Sequence, residues 1–156
     1  MKPRFSAAAG LAVAIFALGS LVLFFSTKGQ AQVVHTCSAT DRQFISVAQL
    51  NMAALGSLSE DYLRGDAKAA DVIEQTSSSL VVLANTNPSD PSLSKTRAIM
   101  RAMFLEYGKA IKADQKKKDP GKFIYRAYGF ANFAHDVLSQ ARPALLQRGC
   151  DVGPLL

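Results

Sequence analysis

Residues 119–150 read DPGKFIYRAYGFANFAHDVLSQARPALLQRGC. Phe123, Ala127, Phe130, Ala134, Val137, Ala141 and Leu145 recur at three- and four-residue intervals, which lays them along one stripe of an α-helix. Asp119-Pro120 supplies a start, with an acidic N-cap ahead of a proline at the first helical position, where its missing N–H costs nothing. Pro143 predicts a kink, or an end near Arg142. A polar row of Tyr128, Asn132, His135, Ser139 and Arg142 falls within about 40° of one line, at about 100° per residue. With the stripe centred on Phe123, Phe130 and Ala141, this row is expected to face away from the core.

Working back from this helix, three more segments carry the same periodicity. Asp90-Pro91 repeats the start signal before Ile99, Met100, Met103, Tyr107 and Ile111. Ala69, Val72, Ile73, Thr76, Leu80 and Leu83 share a face ahead of Asn85-Thr86-Asn87-Pro88, with Asp66 as the expected cap. Phe44, Ile45, Ala48, Met52, Leu55 and Tyr62 form the first stripe. It is preceded by Ser38-Ala39-Thr40-Asp41, which resembles a capping box with Asp in place of Glu, and is ended by Gly65. The expected helices span about 40–64, 67–84, 91–116 and 120–147, within a domain of residues 38–150 and before a tail at 151–156. Short linkers make neighbours antiparallel. The fold class expected is therefore all-α, an antiparallel up-down-up-down four-helix bundle.

The two cysteines test this topology independently. Cys37 and Cys150 sit at opposite ends of the domain, and an up-down-up-down course brings those ends together. In an exported chain such a pair is read as a disulfide. Export is expected from the first 31 residues. Lys2 and Arg4 precede an apolar run from Phe5 to Phe25, long enough to cross a bilayer core. Gly29-Gln30-Ala31 offers a small-x-small cleavage site. Residues 1–31 thus read as a cleaved signal peptide or an uncleaved membrane anchor, residues 32–37 as a connector, and the domain as lying outside the cytoplasm, secreted or anchored to the plasma membrane.

Charge is divided along the chain. Beyond residue 31 there are 15 basic and 12 acidic residues, so the whole-chain value of +6 falls to +3. Residues 38–91 carry −4 and residues 92–126 carry +7. Lys109, Lys112 and Lys116 share a helix face that continues through Lys117 and Lys118. The plain reading is solubility and attraction between an acidic and a basic hairpin; the sharper one is a patch for an anionic partner. Nucleic acid is not expected, because no aromatic residues interleave with the lysines.

Catalytic and metal signatures are sparse. The three glutamates, Glu60, Glu74 and Glu106, lack a histidine three residues on, which excludes a di-iron bundle. No CxxC, Gly-x-Ser-x-Gly elbow or glycine-rich phosphate loop occurs. Met52, Met100 and Met103 on core stripes read as packing rather than as haem ligands. No cofactor and no enzymatic activity are expected. The expected function is a non-enzymatic protein acting through protein or envelope-polymer contacts, at Lys109, Lys112, Lys116, Lys117, Lys118, Ile124, Tyr128, Asn132 and His135. The alternative is a carrier of an apolar ligand, haem or lipid, held between helices; it requires a cavity of several hundred Å³.

Overall fold

The computed structural model describes residues 36–156. The leader, its apolar run at 5–25 and its cleavage site lie outside the described residues. Among the described residues no helix is long and apolar enough to cross a membrane. Four helices pack together: α1 (Ala39–Arg64), α2 (Ala69–Ala84), α3 (Pro91–Gln115) and α4 (Gly121–Gln147). A single 3₁₀ turn, Gly153–Leu155, follows.

Local chemistry sets most helix ends. Ser38 Oγ accepts from the Asp41 N–H at 3.0 Å while the Asp41 carboxylate accepts from the Ser38 N–H, which completes the box at the start of α1. Asp90 accepts from the N–H groups of Ser92 and Leu93 ahead of Pro91. The start of α2 differs from expectation. Gly65 adopts a left-handed conformation, and the N–H groups of Asp66 and Ala67 both donate to Asp61 O, so Asp66 belongs to the closing turn of α1. The cap of α2 is Lys68, whose N–H donates to the Asp71 side chain at 2.9 Å. Asp119 does accept from Gly121 N, but Pro120 remains one residue outside α4. Nor does Pro143 end α4, which continues to Gln147. Ser139, four residues earlier, is exposed, so the carbonyl left without that donor is on the wetted side of the helix. Beyond the proline, Leu145 and Cys150 are buried and hold the chain in place.

The core centres on α3, which packs against α2 and α4 and touches α1. Phe104 and Leu93 of α3 meet the same fully buried layer as Phe44, Val72, Leu83, Leu138 and Leu145. A Cβ added at Gly108 would lie 3.0 Å from Thr76 Oγ1, so α2 and α3 approach closely enough there that Thr76 would have to give by a few tenths of an ångström. On the other side the packing is open. No Cα of α1 comes within 8 Å of a Cα of α4.

One end of the domain is closed covalently. Cys37 and Cys150, 113 residues apart and both buried, form a disulfide with Cα atoms separated by 5.1 Å. The Cys37 N–H donates to Arg148 O, and Arg42 donates back to Cys37 O. Arg148 pairs with Asp90, and Asp41 reaches Ser89 and Asp90, so this end gathers both chain termini of the domain and the α2–α3 loop. A buried disulfide points to an oxidising, extracytoplasmic setting. The tail is not a loose extension. Val152 is fully buried, and the Gly153–Leu155 turn packs on α1 and α4.

Candidate functional site

The open seam between α1 and α4 forms a cleft of about 400 Å³. From α1 it is lined by Met52, Leu55, Gly56 and Ser59, and from α4 by Ile124, Ala127, Tyr128 and Ala131. Met103 and Tyr107 of α3 complete the lining. Two of its polar groups engage each other: the Tyr107 hydroxyl donates to Ser59 Oγ at 2.8 Å, and Ser59 Oγ donates to Leu55 O. What remains open is apolar. Met52, Ile124 and Tyr128 are exposed where no helix covers them.

A second, smaller cavity of about 60 Å³ shares Met52, Met103 and Ala131 with this cleft. It adds Met100, Ala134, His135 and Leu138, and the tail residue Leu155 also lines it.

This placement revises the phase of α4. Its deepest residues are Ala127, Ala134, Leu138 and Leu145, while Phe123 and Phe130 are only half-buried. The true centre of the stripe is turned by about 60° from Phe130, toward Leu138. Tyr128 and His135 are exposed, as expected, but they border the core instead of opposing it. His135 lines a cavity, which the stripe centred on aromatic rings argued against.

The other expected residues separate into two groups. Asn132 is exposed and lines an open hollow of about 440 Å³ with Gly121, Tyr125 and Gly129, which shares Ile124 and Tyr128 with the cleft. Lys112, Lys116, Lys117 and Lys118 are exposed at the α3–α4 end and make no ion pair among the described residues. Lys109 is different: its ammonium lies 2.6 Å from the buried Glu106 carboxylate, which Arg126 approaches at 3.8 Å. Glu106 and both of its partners belong to the basic segment, so Lys109 neutralises a local acid. Among the described residues no ion pair joins the acidic segment to the basic one. Hydrogen bonds do cross: Tyr107 donates to Ser59, Arg97 donates to Thr86 O, and Tyr62 of α1 donates to Asp114 of α3, which holds the Tyr62 hydroxyl above its usual range.

Among the described residues no hydroxyl or thiol lines the space beside His135. Cys37, Asp41 and Cys150 place ligand-type atoms within 4.8 Å of one another, but both sulfurs are consumed by the disulfide. The cleft, the small cavity and the tail turn that lines it were not visible in the sequence. Their signals were the small residues Gly56, Ala127 and Ala131, together with Val152 and Leu155 in the tail. Comparison with protein-family models gives no match, and comparison with curated proteins and with solved structures gives no significant similarity.

Proposed function

We propose that this is a non-enzymatic, extracytoplasmic binding protein whose site is the cleft between α1 and α4, and whose ligand is a small apolar molecule of the lipid class. Its helices alternate in direction along the bundle, and its leader serves as a signal peptide or an anchor. The observation that carries the reading is the cleft itself. About 400 Å³ of apolar space lies within the range of small-molecule sites. Gly56 supports it: a Cβ there would meet nothing within 4 Å, so packing does not require glycine at this position. Glycine inside a helix costs roughly 1 kcal/mol relative to alanine. An occupant lying close against the α1 backbone would account for that cost.

The test is titration with a fluorescent long-chain fatty acid. The chain contains no tryptophan, so Gly56→Trp places a single reporter in the cleft while filling it. The wild-type protein should bind the probe saturably at one site, and Gly56→Trp should weaken binding at least tenfold. Absence of saturable binding, or equal affinity in the variant, overturns the assignment.

A second reading rests on the lysine end. Lys117 has a φ of 55° at the close of α3, a left-handed position where glycine is usual. Lys112, Lys116, Lys117 and Lys118 then present an unpaired basic surface to an anionic envelope polymer or an acidic protein. Charge reversal of all four should abolish capture by an immobilised polyanion without changing the fatty-acid titration.

A further inference from the structure

Met52, Met100 and Met103 are all the methionines of the chain except Met1, and they line one cavity of about 60 Å³. Met52 comes from α1, Met100 and Met103 from α3. The cavity also takes His135 from α4, the only histidine among the described residues. Three helices therefore bring three methionines and one histidine to the lining of a space too small for the ligand of the larger cleft. The rest of its lining is Ala131, Ala134, Leu138 and Leu155, and no carboxylate takes part.

We infer that Met52, Met100, Met103 and His135 form a binding site for a soft monovalent cation, Cu(I) or Ag(I). Thioether sulfur is a soft donor that selects such ions, and imidazole suits them as well, whereas Mg²⁺ and Ca²⁺ need oxygen ligands that the cavity lacks. Met100 and Met103 are buried at 4% and 7% exposure, which provides a dry floor. The His135 side chain is 55% exposed and marks the route of entry. Its Nδ1 lies 3.8 Å from the Asp136 carboxylate, beyond hydrogen-bond reach, so either ring nitrogen is free for the ion. Thioethers are also the soft ligands that remain available once Cys37 and Cys150 are joined. The alternative is that the methionines only fill gaps, as flexible side chains do. Leucine separates the two roles, because exchanging Met for Leu largely preserves packing while removing the donor.

The experiment uses the full chain with its disulfide intact and no added thiol. Ag(I) is titrated calorimetrically, and Cu(I) by anaerobic competition with bicinchoninate, while the methionine methyl resonances are followed by NMR. The expected result is one bound equivalent, with the Met52, Met100 and Met103 methyls shifting together and Met1 unmoved. Met52→Leu, Met103→Leu and His135→Gln should each weaken binding at least tenfold, with thermal midpoints close to wild type. Absence of saturable binding, a shift confined to Met1, or undiminished affinity in the triple Met→Leu variant overturns the site. The methyl shifts decide the matter in the wild-type chain even if a variant folds poorly. This site does not depend on the apolar ligand of the cleft: the fatty-acid titration reports separately.

Discussion

Asp41 sits in the first turn of α1, 4% exposed, with its two oxygens accepting from Ser38 N, Ser89 N, Ser89 Oγ and Asp90 N. Burial alone would push this carboxyl up. The hydrogen bonds from Asp90, Ser38 and Ser89 outweigh it and hold the group below its ordinary value of 3.8. A carboxyl whose folded value is depressed stabilises the protein above the unfolded value, and that stabilisation is lost as pH falls through the folded one. At neutral pH it is fully present. Asp41→Asn keeps the shape but turns an NH₂ group toward donors, and is expected to cost about 1–3 kcal/mol. Urea unfolding at pH 7 and again below pH 3 checks this. The gap between wild type and Asp41→Asn should be wide at pH 7 and should narrow in acid. An equal gap at both values would locate the loss in packing instead of charge.

Two helix-interior glycines make opposite predictions at the scale of the element. Gly56 faces open space in the cleft, so Gly56→Ala should gain roughly 0.5–1 kcal/mol from helix propensity. Gly108 lies where a Cβ would be 3.0 Å from Thr76 Oγ1 across the α2–α3 contact. Gly108→Ala requires Thr76, whose hydroxyl is held on Ile73 O, to give by a few tenths of an ångström, and is expected to cost about 1–3 kcal/mol despite its better propensity. Thermal unfolding of the two variants should therefore move in opposite directions. The same contrast explains what was legible in the sequence. Apolar spacing and the Asp-Pro starts located every helix, because those signals are local. The stripe of α4 was misplaced because Phe123 and Phe130 dominate a sequence reading by size, whereas the tight seam with α3 is filled by Ala127, Ala134 and Leu138. That error hid the cleft, since turning the stripe by about 60° moves Tyr128 and His135 from its far side to its edge. The tail eluded the reading for a related reason. Val152 and Leu155 are too few to show a period, and their partners are distant in sequence.

At the scale of the whole molecule, the disulfide does work that helix packing leaves undone. α1 packs on α2 and touches α3, but its backbone stays clear of α4. The link between the first and last helices is therefore made at one end, by Cys37–Cys150, the Cys37–Arg148 backbone bond and the tail turn. Joining residues 113 apart removes loop entropy from the unfolded chain worth roughly 4–5 kcal/mol in the chain-entropy model. The double variant Cys37→Ser with Cys150→Ser should thus lose about 3–5 kcal/mol by denaturant unfolding. The loss should also be uneven across the fold. Amides in the first turns of α1 and in the tail should exchange much faster, while those of α2, α3 and the middle of α4, packed against one another, stay protected. If α1 instead loosens along its full length, the cleft should bind its apolar probe more weakly in the variant. Uniform loss of protection across all the helices would show that the domain opens only as one unit, and that the seam between α1 and α4 is not its weakest line.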